Sequence, residues 1–252
     1  MCLVALAWKS HPRWRLLLVG NRDEFHARPT AALAAWAQPS SILAGRDLQS
    51  GGTWAGIDRR GRCAVVTNVR DPMAAAAAAL SRGALPIDFL LGTSGAGRHG
   101  RSLLASSSHY AAYNLLLVDE DGCEYVGNHP QEHAAITPGI HGMSNGGFDA
   151  AWPKTRRLCA QMHAWLESGA DDPTPLWAAL ADEQVADDSE LPHTGVGPEL
   201  ERRLSAAFIR GPKYGTRAST LIAIDYQGRG WISERSFGRD GLFIGETTLR
   251  TA

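Results

Sequence analysis

The chain has no long apolar run. Nothing in it approaches the roughly 18 uninterrupted apolar residues that a membrane-crossing helix needs. Its first residues scatter Lys9, Arg13 and Arg15 among short apolar stretches, whereas a secretory signal sets its charges ahead of one apolar block. Cysteine is scarce. Cys2, Cys63, Cys123 and Cys159 form no CxxC pair, which argues against a disulfide framework and against a zinc site. The nine histidines show neither HxH nor HExxH spacing. Charge of one sign is lacking too. Lys and Arg number 25 against 26 Asp and Glu, so no general electrostatic attraction to nucleic acid or to an anionic membrane is expected. These absences predict a cytoplasmic globular protein with no transmembrane segment, no nucleic-acid partner, no metal and no required cofactor.

What is present is ordinary in amount and informative in order. At 252 residues and 44% hydrophobic content the chain can bury a sizeable core. Four pairs of short apolar runs, each joined by a Gly- or Pro-containing polar turn, read as β-hairpins. They are Leu3–Trp8 with Trp14–Gly20, Thr53–Asp58 with Cys63–Val69, Tyr113–Asp119 with Cys123–Gly127, and Ser219–Asp225 with Trp231–Phe237. Helical spacing marks Leu85–Leu91, Ala150–Leu166, Leu176–Leu180 and Pro198–Phe208, and more weakly Arg101–Ser106. The alanine run 74–79 fits helix or loop. Segments 171–175 and 187–198 read as loops. Hairpins interleaved with helices predict an α+β fold with mostly antiparallel sheets, in one domain over residues 1–252.

Several polar residues stand where they can do chemistry. Methionine before a small residue is commonly removed during synthesis, which would leave Cys2 first. An N-terminal cysteine carries a thiol and an α-amine on one residue, and the amine can serve as the thiol's base. A plain reading makes Cys2 a small apolar residue beginning a buried strand. Asn21-Arg22-Asp23-Glu24 directly follows an apolar strand. Arg22 can hold a thiolate or a substrate anion, and Asp23 or Glu24 can accept a proton from the amine. Asn68 and Asn145 each end an apolar segment, where a side-chain amide suits an oxyanion. Gly51-Gly52-Thr53-Trp54 either brings backbone close to a ligand or turns into a strand. Arg217 is a further cation at a strand start.

Met1-Cys2, Asn21-Arg22-Asp23-Glu24, Gly51-Gly52-Thr53-Trp54, Thr67-Asn68, Met143-Ser144-Asn145 and Gly215-Thr216-Arg217 with Ser219-Thr220 span nearly the whole chain. As a set they resemble the NRDE family, whose best-known members are the transport and Golgi organisation proteins of animals. That family in turn resembles the cysteine N-terminal-nucleophile (Ntn) hydrolases. The resemblance implies a four-layer αββα sandwich, two antiparallel sheets face to face with helices outside. It implies Cys2 as nucleophile, Arg22 with Asp23 or Glu24 beside it, Asn68 and Asn145 at the oxyanion, and Arg217 as a later arginine. Phe148-Asp149 matches a Phe-Asp that follows the second asparagine in those hydrolases. The hydrolases carry Gly-Arg-Asn-x-Asp where this chain has Gly20-Asn21-Arg22-Asp23-Glu24, so arginine and acid are shifted against each other. Two functions follow. One is hydrolysis of an amide or thioester acyl substrate. The other is a non-catalytic carrier of haem or an acyl-CoA or lipid ligand, with Cys2 as a ligand or redox-sensitive thiol and some of the eight tryptophans lining an apolar pocket.

Overall fold

A computed structural model describes residues 2–38, 41–72 and 79–251. The alanine run, apart from Ala79, lies outside the described residues, as does Met1. The fold is two fully antiparallel sheets. The first runs in the order β10 (Gly139–Met143), β1 (Leu3–Trp8), β2 (Trp14–Phe25), β11 (Tyr214–Asp225), β12 (Gly230–Phe237) and β13 (Phe243–Arg250). The second runs β3 (Thr30–Ala35), β4 (Ile42–Asp47), β5 (Ala55–Asp58), β6 (Cys63–Asn68), β7 (Tyr113–Val118), β8 (Cys123–Asn128) and β9 (Gln131–Ala135).

Strand alternation sorts the core into three layers. Val4, Leu6 and Trp8 of β1 point into the space between the sheets, where they meet Leu43, Ile57, Val65 and Leu116 of the other sheet. Leu3, Ala5 and Ala7 point the opposite way. They join α3 (Pro153–Glu167) through Leu158, Met162 and Trp165, and α4 (Leu176–Leu180) through Leu176 and Leu180. On the far side, Ala64, Val66, Leu115 and Leu117 of the second sheet bury against Leu85, Phe89 and Leu90 of α1 (Ala84–Leu91) and Leu103 of α2 (Ala96–Leu103). The helix–sheet–sheet–helix order is the αββα sandwich that the family resemblance implies.

All four expected hairpins form, as β1–β2, β5–β6, β7–β8 and β11–β12. Three expectations change. The Asn21-Arg22-Asp23-Glu24 tetrapeptide does not follow its strand but lies inside it, because β11 runs alongside and continues the ladder as far as Tyr214 opposite Phe25. The last helix, α5 (Pro198–Arg203), stops before Phe208, and Ala206 to Ile209 are instead buried outside any helix or strand. Ala150 to Trp152 precede α3, whose first residue is Pro153.

Candidate active site

Cys2 sits just before β1, with its N–H bonded to the Asn21 carbonyl at 2.8 Å and its carbonyl accepting from Ser144 Oγ at 2.6 Å. The thiol is 3.3 Å from the Asp23 carbonyl oxygen and 3.9 Å from Asn68 Oδ1. It opens onto a pocket of about 410 Å³ lined by Cys2, Arg22, Asp23, Glu24, Asn68 and Arg82, among others.

Asn68 ends β6, and its orientation is set from behind. Asn145 Nδ2 donates to Asn68 Oδ1 at 2.9 Å and to its backbone oxygen at 3.0 Å. Arg70 Nη2 donates to Asn145 Oδ1 at 3.4 Å, while the other end of its guanidinium is paired with buried Glu201. Asn68 thus lines the pocket with its Oδ1 held between Asn145 and the thiol. Asn145 spends its own N–H groups on Asn68, so it reaches the pocket through that residue.

Alternation along β2 separates the charges of the tetrapeptide. Arg22 lies over the Trp54 ring at 4.4 Å and contacts Asp47 at 3.4 Å, Thr30 at 3.4 Å and Glu24 at 3.8 Å. Burial lowers its pKa, and the Glu24 and Asp47 carboxylates oppose that shift. Arg28 binds the same Asp47 at 2.6 Å. Burial works against the Asp47 anion, but hydrogen bonds from Arg28 and the Ser50 backbone, with the charges of Arg28 and Arg22, hold it below its usual range. Gly45 makes room for the indole under Arg22, since a Cβ there would lie 2.3 Å from a Trp54 ring carbon.

Asp23 belongs to the other side of the sheet. Thr216 Oγ1 donates to its Oδ1 at 2.7 Å, and its Oδ2 is buried without a hydrogen-bond partner. Burial raises its pKa, while the charge of Lys154 pulls it down. Lys154 is only 2% exposed, and its Nζ has no hydrogen-bond partner. Burial lowers its pKa against the opposing charges of Asp23 and Cys2. Tyr214 completes this surround. Burial pushes its phenol up, and neighbouring Cys2, Asp23 and Glu24 push it further.

Cys2, Arg22, Asp23, Glu24 and Asn68 therefore meet at one pocket, and Asn145 supports it from outside. Arg217 is placed differently. It is the extra residue of a β-bulge, between Thr216 opposite Asp23 and Ala218 opposite Arg22. Its Nη1 donates to the carbonyls of Phe25, His26 and Arg28 at 3.0, 3.3 and 3.2 Å, so it braces the turn carrying Arg28. Gly52 contributes by close approach of backbone to backbone. A Cβ there would fall 2.5 Å from the Gly83 carbonyl carbon, and Thr53 N–H donates to the Gly83 oxygen at 3.1 Å. That contact draws Arg82 and Gly83 over the pocket. Asp149 holds the β10 loop through the Gly142 N–H and His141, each at 2.8 Å. Lys154, Arg82, Arg70 and Tyr214 belong to no motif of the sequence. Only Lys154 carried a signal, as a lysine on the helix stripe that continues with Leu158 and Met162.

Four layers of this order, with an N-terminal strand beside the pocket, define the fold of the Ntn hydrolases. A point variant of conjugated bile acid hydrolase from Clostridium perfringens shares it, at a TM-score of 0.55 over 98% of this chain and 92% of that one, with 7% sequence identity. Within that fold the chain belongs to the Transport and Golgi organisation 2 family, whose family model matches residues 1–239. Two relatives of that name are similar over nearly their whole length. The Bos taurus homologue is 32% identical over 94% of this chain and 93% of its own. The Homo sapiens homologue is 31% identical over 98% and 97%. Among the described residues no helix is long and apolar enough to cross a membrane, and no group of three or more His, Cys, Asp or Glu could hold a metal ion.

Proposed function

We propose that this chain is a cysteine Ntn hydrolase acting on an amide or thioester acyl substrate in the cytoplasm. The observation that carries the reading is the pairing of the Cys2 thiol with an oriented Asn68 amide at one pocket. Once Met1 is removed, the Cys2 α-amine takes the thiol proton and the thiolate attacks the acyl carbon. The resulting oxyanion receives a hydrogen bond from Asn68 Nδ2, at a position where one donor is worth about 3 kcal/mol. Collapse expels the amine or thiol, which leaves with the proton held by the α-amine. Water then attacks the thioester at Cys2, gives its proton to the α-amine, and frees the acid and the thiol.

The shifted order of arginine and acid gives Asp23 and Glu24 different work. Glu24 is committed to Arg22 and Arg28, each at 3.8 Å. Asp23 has a free buried oxygen, which suits it to accept a hydrogen bond from the α-amine. Arg22, clamped between Trp54 and Asp47, shapes the pocket wall and adds positive potential beside the thiol. A panel of chromogenic amides and acyl thioesters tests the reading. Turnover by the wild type that disappears in Cys2→Ala supports it. Turnover that survives in Cys2→Ala, or none by a wild type shown to lack Met1, contradicts it, and titration with haem and acyl-CoA then tests the carrier function.

A further inference from the structure

Three arginines line the Cys2 pocket, and they are not equivalent. Arg28 and Arg22 share Asp47, at 2.6 and 3.4 Å, and both lie 3.8 Å from Glu24. Arg82 has no ion pair among the described residues. One of its five donors goes to the Ala112 carbonyl, Nη1 to oxygen at 2.9 Å. Burial lowers its pKa, and the charges that oppose this are Cys2 first and then the already engaged Glu24. A half-buried guanidinium with most of its donors unspent, facing the nucleophile across a polar cavity, has the charge and geometry to receive an anion.

We propose that Arg82 is the anion-recognition residue of this pocket, and that the acyl substrate carries a carboxylate or similar anionic group within a few bonds of its scissile carbonyl. The proposal rests on the hydrolase reading for calling the ligand a substrate. Its placement is structural. The Gly52–Gly83 contact holds Arg82 over the cavity, and the Ala112 carbonyl that fixes its Nη1 also accepts the Val69 N–H, next to Asn68. An anion at Arg82 and an oxyanion at Asn68 thus lie on one side of the pocket, which sets the direction of the substrate.

The test compares two alkylating reagents of nearly one shape and different charge, iodoacetate and iodoacetamide, with site-resolved mass spectrometry at Cys2. Half-buried Cys159 serves as an internal reference for folding. In Arg82→Met the ratio of iodoacetate to iodoacetamide reactivity at Cys2 is expected to fall about ten-fold, the effect of losing one charge-assisted hydrogen bond. Arg82→Lys, which keeps the charge, should restore most of it. An unchanged ratio overturns the proposal. Equal slowing of both reagents also overturns it, because Arg82 would then act on the thiolate and not on the incoming anion. Succinyl p-nitroanilide and its methyl ester separate this from the hydrolase reading. Wild-type preference for the free acid, expressed in KM and lost in Arg82→Met, supports both. Equal turnover of acid and ester overturns the anion site and keeps the hydrolase. An Arg82-dependent reagent ratio without turnover of either compound keeps the anion site, and absence of turnover across the whole amide and thioester panel removes the hydrolase.

Discussion

At Cys2, reactivity depends on neighbours that fix where the proton and the oxyanion go. Asn68 and Asn145 look alike in the sequence, yet the structure gives them different tasks. Asn68 lines the pocket beside the thiol, and Asn145 fixes its side-chain amide from behind. Asn68→Ala should lower kcat by about 100- to 1000-fold, the loss typical of one oxyanion donor. Asn145→Ala should lower it less, and the double variant should be no worse than Asn68→Ala, because Asn145 acts through Asn68. Additive losses in steady-state kinetics would contradict this division. The residue types were legible from the chain, and their roles were not. Nothing in the local sequence shows that Asn145 spends both donors on another asparagine, or that Arg217 is turned by a bulge towards Phe25, His26 and Arg28.

At the scale of elements, Asp23 of β2 and Lys154 of α3 are buried groups of opposite type, each with an unpartnered atom and each acting on the other's ionisation. Removing one charge leaves the other uncompensated. Lys154→Met should therefore destabilise the fold in urea denaturation, while Asp23→Asn with Lys154→Met should recover much of the loss. Between the sheets, Glu234 of β12 accepts the Leu33 N–H at 2.8 Å, and burial pushes its carboxyl from 4.5 up to about 7. Its proton is held more tightly in the folded state. The resulting stabilisation is complete below the unfolded value and is lost as pH rises through about 7. From about pH 5 to about pH 8 the wild type should lose about 2–3 kcal/mol relative to Glu234→Gln. Parallel pH curves in thermal unfolding would refute the assignment.

Elements also explain what could be read beforehand. The interior strands β1, β2, β6, β7 and β11 are buried on both faces, so they appear as continuous apolar runs. Edge strands β3, β9 and β13 face solvent on one side and mix alanine or polar residues with apolar ones, so propensity does not mark them. The fourth edge, β10, showed only as the short segment before Asn145. Interior β4 is hidden as well, since Gly45, which makes room for Trp54, and Arg46, which lies over Trp36, interrupt its run.

In the whole molecule, stability and chemistry meet where the two sheets face each other. Leu6, wholly buried between them, should cost about 2–5 kcal/mol when changed to Ala. Phe243, 55% exposed on the outermost strand, should cost less than about 0.5 kcal/mol in the same assay. Equal losses would mean that the sandwich is not held by its inner faces. The same sheets bring Cys2 from one and Asn68 from the other to a single pocket, and only the assembled sandwich makes that pairing. The most direct test of this account is the intact mass of the purified protein before and after incubation with an acyl thioester, beside Cys2→Ala. A wild-type chain that lacks Met1 and gains one acyl group, absent from Cys2→Ala, is the predicted result. A chain that retains Met1 and gains nothing would contradict it.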